Sequence, residues 1–246
     1  DNLIEVRHSM NLDPTGMVLA SVLAKKKAAG STHVLIDIPY GKNAKATYSE
    51  AKVWKKNFEK IAKLIDLQLK VILTKGEQPI GKGIGAYLEA QDVLKTLKCQ
   101  ADAPKDLRDK ALKMSGMLLE MAGKAGKNQG YKLAEETLNS GKAYKQFEKI
   151  MEAQGPAPFK VKEAKHIHHL KAGKSGTVKE IHIKKVSKTA LMLGAPKDKS
   201  AGVYMECRLA DKVSKGDTLM TLHYNNQENL DVLLKQKLLS EIFTIK

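Results

Sequence analysis

The sequence predicts an α/β fold, a parallel or mixed sheet flanked by helices, followed by a small β-rich domain. Three observations carry that prediction. Two short continuous apolar runs, His33–Pro39 and Leu69–Thr74, read as strands buried on both faces, as in parallel sheets. Helical stretches alternate with them in the order helix, strand, helix, strand, helix. Past Gly155-Pro156-Ala157-Pro158 the texture changes to short β-like runs. The organisation expected is a remnant of a helical domain over residues 1–30, an α/β domain over 31–155, and a β-rich C-terminal domain over 156–246, α+β and barrel-sandwich-like in character.

The first helix has marked ends. Asp13 can cap it, Pro14 suits the first helical position, and Gly30 can take the left-handed C-terminal position after Lys25, Lys26 and Lys27. Ser21 and Lys25 lie four residues apart and so share a face, a hydroxyl and an ammonium among Ala, Leu and Val. By spacing alone that face reads as a solvated edge; its sharper reading is a donor pair for a polar ring or an anion. After the first strand and the turn Tyr40–Lys45, a helix is expected from about Thr47 to Leu67. Lys75 to Gly85 is a glycine-rich loop, and a helix follows to Leu97. From Asp106 to Ala153 the pattern is helical, punctuated by Gly123, Gly126, Gly130 and Gly141. In the last domain the β-like runs are Phe159–Lys162, Gly176–Ile183, Ala190–Leu193 and Thr218–Leu222, with a turn at Val213–Asp217 and a helix near Leu230–Lys235.

Composition narrows the function classes. With 42% hydrophobic and 5% aromatic residues the 246-residue chain can bury an aliphatic core. The formal charge is +16, and Arg7, Arg108 and Arg208 are the only arginines. Sequence-reading nucleic-acid binders rely on arginine forks, so a lysine-rich surface better suits solubility and the attraction of small anions. Cys99 and Cys207 form no metal-type pair, which fits a reducing, cytoplasmic compartment. No apolar run reaches membrane-spanning length and no signal peptide is present, so no membrane partner is expected. The start at Asp1, without Met, suggests a processed or truncated piece.

Other local signals point to bland roles. Gly173-Lys174-Ser175 lacks the phosphate-loop glycine five residues earlier, where His168 stands. His166, His168 and His169 suit a surface strand better than a metal site. Gly176-Thr177-Val178 with Lys215-Gly216-Asp217 suggests the shape of a biotinyl or lipoyl barrel, without the Met-Lys carrier pair.

Two longer stretches are more specific. Ala20-Ser21-Val22-Leu23-Ala24-Lys25-Lys26, then Ala29-Gly30 and the strand through Asp37, resembles the thymidine/pyrimidine-nucleoside phosphorylase family, as does Gln78-Pro79-Ile80-Gly81-Lys82-Gly83-Ile84-Gly85-Ala86-Tyr87-Leu88-Glu89-Ala90-Gln91-Asp92-Val93. Gly194–Val203 with Lys215-Gly216-Asp217 is similar to the family's C-terminal domain, so the resemblance covers most of the chain. The wording of Ile36-Asp37-Ile38-Pro39 and Ala44-Lys45 is nearest the branch holding AMP phosphorylase and related bacterial thymidine phosphorylases. The resemblance implies a transferase: inorganic phosphate, the co-substrate, attacks the anomeric carbon of a pyrimidine nucleoside, and free base and (deoxy)ribose 1-phosphate result. AMP as substrate is the alternative. A non-catalytic basic module for nucleic-acid binding or assembly is the alternative of another class.

The same resemblance assigns residues. Ser21 and Lys25 would contact the base, with Lys25 supplying a cation to the leaving anion, and Arg7 would complete the set. A monovalent cation such as K+ would take the carbonyls of Ile80 and Gly83 and the carboxylate of Asp92; the competing reading makes Asp92 an exposed helix residue. No organic cofactor is implied. Gly41-Lys42-Asn43-Ala44 departs from the family's Gly-x-Gly-Ala. The family's phosphate-binding Lys-His motif and glycine- and serine-rich loops lie upstream of this sequence, so a C-terminal portion with weak or no activity alone is expected. Family members are commonly homodimers through a helical domain.

Overall fold

A computed structural model describes residues 15–156 and 161–246 of the chain. Helix α1 (Thr15–Ala28), strand β1 (His33–Tyr40), helix α2 (Tyr48–Leu64) and strand β2 (Gln68–Lys75) form the first layer set. β1 and β2 pair in parallel from His33↔Gln68 to Tyr40↔Lys75. Leu19 and Leu23 of α1, Val34 and Ile38 of β1, Ala51, Phe58 and Ala62 of α2 and Val71 of β2 share one core. The proposed cap Asp13 and Pro14 lie outside the described residues. The other end of α1 is as expected: Gly30 has φ 73°, the Gly30 N–H donates to Lys27 O and the Ser31 N–H to Lys26 O, a Schellman closure. Helix α2 starts with a capping box. Thr47 Oγ1 accepts from the Glu50 N–H, and the Thr47 N–H donates to Glu50 Oε2 at 2.8 Å.

Four more helices follow the short strand β3 (Gly83–Ile84): α3 (Ala86–Leu97), α4 (Lys105–Met121), α5 (Gly130–Asn139) and α6 (Lys142–Gln154). α4 and α5 cross where two glycines meet. A Cβ on Gly130 would sit 2.0 Å from Gly116 O, and one on Gly116 would sit 2.5 Å from Tyr131 N. Nothing larger than hydrogen lets the two backbones approach this closely. Leu112, Ala134 and Leu138 form the small core beside that crossing.

The C-terminal part consists of β4 (His166–Lys171), β5 (Gly176–Ile181), α7 (Ile183–Leu193), β6 (Gly202–Met205), β7 (Lys212–Val213), β8 (Thr218–Tyr224), α8 (Gln227–Leu234) and β9 (Phe243–Ile245). Two antiparallel sheets, ordered β3-β6-β8-β4 and β7-β5-β9, share one core with α7 and α8, without closing into a barrel. Two expectations change here. Ala190–Leu193 is the end of α7, not a strand, because Val186, Thr189, Ala190 and Leu193 are buried at helical spacing; a four-residue apolar run cannot show its period alone. The Lys75–Gly85 loop contains β3, which pairs with β6, so the segment before α3 belongs to the C-terminal sheet. Of the run Phe159–Lys162, residues 159 and 160 are outside the described set, and Val161 and Lys162 are not in a strand. His166, His168 and His169 do lie on an edge strand, β4.

Both cysteines are free. Cys99 is exposed, whereas burial pushes the Cys207 thiol up to about 12, which keeps it inert. The glycine crossing makes a direct stability prediction. Gly130→Ala should cost about 2 kcal/mol or more through overpacking against Gly116, read as a lowered thermal midpoint; an unchanged midpoint would mean that α4 and α5 can part without loss.

Candidate functional site

The loop from Gln78 to Gly85 is held by groups from both sides. Asp92, on α3, is 2% exposed. Its Oδ2 accepts the N–H of Lys82 at 2.6 Å and of Gly83 at 2.8 Å. The reading of Asp92 as an exposed helix residue is thereby corrected: the residue faces inward and anchors a loop. Gly83 pairs with Tyr204, and Met205 N–H donates to Lys82 O, so in the antiparallel alternation Gly83 turns its own N–H and C=O away from β6. A side chain at Gly83 is impossible, because a Cβ would lie 2.5 Å from the Leu88 carbonyl carbon.

From the C-terminal side, Arg208 Nη1 donates to Gly81 O at 2.9 Å, and Nη2 pairs with Asp106. The Leu209 N–H donates to Gln78 Oε1 at 2.8 Å. Arg208 was missed as a site residue from sequence. Its signal was available: an arginine among so many lysines marks a place where a planar fork, not a point charge, is needed.

The structure thus brings Gly83 and Asp92 together, with Ile80 at the mouth of the same loop. Asp92 Oδ1 is buried and has no hydrogen-bond partner among the described residues. An orphaned, buried carboxylate oxygen fits a hard cation of low charge, which oxygen ligands suit. Among the described residues no group of three or more His, Cys, Asp or Glu could hold a metal ion.

Ser21 and Lys25 stand one turn apart on α1, as the spacing requires. Ser21 is half-buried and its Oγ donates to Val18 O at 3.1 Å, leaving the oxygen lone pairs for a ligand donor; Lys25 is exposed. Lys27 Nζ reaches Asp66 O, and the Gln68 N–H donates to Thr32 O, so the C-terminal end of α1 lies at the edge of the sheet where β1 and β2 begin. Arg7 lies outside the described residues.

At the opposite edge, where β1 and β2 end, a cleft of about 1560 Å³ opens between the α/β part and α7. Its floor includes Pro39, Gly76 and Lys110, and its walls are α2 and α7; Ile80 lines it, while Ser21 and Lys25 do not. Lys110 is ion-paired with Asp37, whose Oδ1 accepts from Thr74 Oγ1 at 2.8 Å. One end of the cleft is tied across: Glu180 Oε1 accepts from Asn43 Nδ2 at 2.9 Å and from Lys42 Nζ at 3.0 Å. Those two bonds, Asn43 first, hold the Glu180 carboxyl below its ordinary range. The Asp37–Lys110 pair and the Glu180 tie were also invisible in sequence, since each joins groups far apart in the chain.

The anchoring role of Asp92 has a measurable consequence. Asp92→Asn keeps the shape but trades a charged acceptor for a neutral one, and should lower stability by about 1.5–3 kcal/mol in chemical unfolding; a wild-type midpoint and slope would remove Asp92 as the anchor.

Comparison with known proteins agrees with this architecture. The family model for the pyrimidine nucleoside phosphorylase C-terminal domain matches residues 177–242, from β5 to the segment before β9. A protein named "Putative thymidine phosphorylase" from Legionella pneumophila (strain Corby) is 40% identical over 232 residues, which is 94% of this chain and 45% of that relative. Similar relatives are one of the same name from Chelativorans sp. (strain BNC1), 43% identical over 224 residues, 91% of this chain and 44% of the relative, and "Putative thymidine phosphorylase 1" from Acidovorax sp. (strain JS42), 42% identical over 232 residues, 94% and 45%. The chain spans a little under half the length of these curated relatives. Identity at this level across the stretch that holds Ser21, Lys25 and the Gln78–Asp92 anchor, with the C-terminal domain matched independently, supports the thymidine/pyrimidine-nucleoside phosphorylase family.

Proposed function

We propose that the protein carrying this chain is a pentosyltransferase, a thymidine phosphorylase that splits a pyrimidine nucleoside with inorganic phosphate into free base and (deoxy)ribose 1-phosphate. The observation that supports the reading most is the identity of 40% over 232 residues to a relative named for that activity, in a stretch that includes α1. In the reaction a phosphate oxygen bonds to C1′, the C1′–N bond breaks, and its electron pair leaves on the base. Negative charge therefore grows on the pyrimidine in the transition state. A cation at the base is stronger there than in the ground state, which is the condition for raising the rate and not only the affinity. Lys25 is the residue assigned that role. Ser21, one turn earlier, presents an oxygen acceptor that orients the ring.

The Asp92 anchor completes the proposal. Asp92, with the carbonyls of Ile80 and Gly83, would hold a monovalent cation such as K+. When bound, that cation supplies a fixed positive charge against the buried carboxylate. Asp92 itself holds the Lys82 and Gly83 amides, which keeps the Gln78–Gly85 loop in one conformation.

Two measurements test these roles. In the intact protein, thymine release from thymidine should depend on phosphate, and Lys25→Ala should lower kcat/KM by about 10²-fold or more with an unchanged far-UV spectrum, since the side chain is exposed. Absence of base release at any phosphate concentration would defeat the reading. Exchanging choline for K+ at constant ionic strength should raise the thermal midpoint of the native chain and leave that of Asp92→Asn unmoved; an equal response of both would reject the cation site.

A further inference from the structure

The cleft between α2 and α7 holds neither Ser21 nor Lys25, and its lining is rich in lysine. On the α7 wall Lys184, Ser187, Lys188 and Leu191 recur at i, i+3, i+4 and i+7, so all four point from one face. Lys184 and Lys188 are exposed, and Lys75 stands at the end of β2. None of these three ammoniums has an ion-pair or hydrogen-bond partner among the described residues. Like charges four apart on a helix oppose one another, and an anion between them removes that penalty. The lining's one carboxylate, Glu50, already accepts from the Thr47 N–H and hydroxyl. Lys110 is neutralised by Asp37.

Facing the lysines is Trp54. It is half-buried, packs against the α/β core from one side and lines the cleft with the other. A volume of about 1560 Å³ is far more than a single phosphate needs. Two ammoniums on the α7 wall, further lysines (Lys45 and Lys75) on the α/β side and one indole match a ligand that is polyanionic at one end and flat at the other. Lysine suits phosphate as a point charge and asks for no bidentate geometry, and an indole stacks on any base.

From this arrangement we infer that the cleft binds a nucleoside triphosphate, with its phosphates on Lys184, Lys188 and Lys75 and its base against Trp54. The site is separate from Ser21 and Lys25, so it is a second nucleotide-sized site on the chain. A longer single strand would need phosphate contacts running on past the cleft, and the features described here converge inside it.

Trp54 is the only tryptophan of the chain, which makes its emission a reporter for this cleft. Titration of the chain with dTTP or ATP at low salt should give a saturable change in emission with a dissociation constant below about 1 mM. Lys184→Gln/Lys188→Gln, both at exposed positions, should weaken binding about tenfold or more, with an unchanged melting curve, and calorimetry should give the same ratio. Thymidine alone should leave the Trp54 emission unchanged, and inorganic tripolyphosphate should bind more weakly than dTTP. A flat emission and calorimetric trace up to about 10 mM nucleotide would overturn the assignment. So would equal affinity in the double variant, tripolyphosphate binding as tightly as dTTP, or displacement of dTTP by a short single-stranded oligonucleotide of higher affinity. None of these readouts depends on base release, so failure of the phosphorylase reading and failure of this one are told apart.

Discussion

The structure depends most on one carboxylate. Asp92 is buried, and its Oδ2 takes the amides of Lys82 and Gly83, two consecutive N–H groups that would otherwise be desolvated without partners. That pair of bonds sets the direction of β3. With β3 set, Lys82 O meets the Met205 N–H and Ile84 pairs with Val203, so the loop becomes an edge of the C-terminal sheet. Arg208 then finds Gly81 O and Asp106 in place, and Gln78 finds the Leu209 amide. Each of these bonds joins the helical segment after β2 to the β6–β7 region. A half-buried guanidinium of this kind is a poor source of net stability but a strict one for geometry: losing either partner strands a charge.

The second join is at the other end of the cleft, and it gives meaning to the departure from the family's glycine pattern. Where the resemblance implies Gly-x-Gly-Ala, this chain has Gly41-Lys42-Asn43-Ala44. Lys42 and Asn43 both bond Glu180, just ahead of α7. Backbone freedom at the turn is exchanged for two side-chain bonds across to the C-terminal part. Lys42 is 81% exposed, so its share is small and screened by salt. Asn43 is the geometric member of the pair, because its amide must point one way to meet the carboxylate.

What could be read from sequence divides along chain distance. The parallel pair was legible because Val34, Ile36, Ile38 and Val71 sit in short runs that are apolar apart from Asp37 and Lys70. The end of α1 was legible because Gly30 follows three lysines. Thr47-Tyr48-Ser49-Glu50 carries a capping signature, Thr47 with Glu50 three residues on, and it fixes the start of α2. Ala190–Leu193 misled because four apolar residues carry no period, and Val186 was needed to show it. β3 was out of reach for a deeper reason. Two residues have no propensity to speak of, and their state is decided by Asp92, nine and ten residues later, and by β6, some 120 residues on. In the candidate site, Ser21 with Lys25 could be found as a spacing, whereas Asp92 needed its burial and Asp37–Lys110 needed the fold.

The placement of α1 constrains how any catalytic use of Lys25 can work. α1 runs antiparallel to β1, and its C-terminal end is held at the edge where the strands begin, by Lys27 on Asp66 O and by the Schellman closure at Gly30. The cleft lies where the strands end, so the one layer set offers chemistry at two opposite edges. A ligand on Lys25 therefore cannot also touch Lys184 or Lys188 unless it spans the length of the strands. α1 is 14 residues long, about 21 Å at 1.5 Å per residue, and a nucleoside is shorter than that. The face of α1 proposed to contact the base and the lysine cleft are accordingly separate, and α2, β1 and β2, which share a core with α1 and also line the cleft, are the elements that connect them.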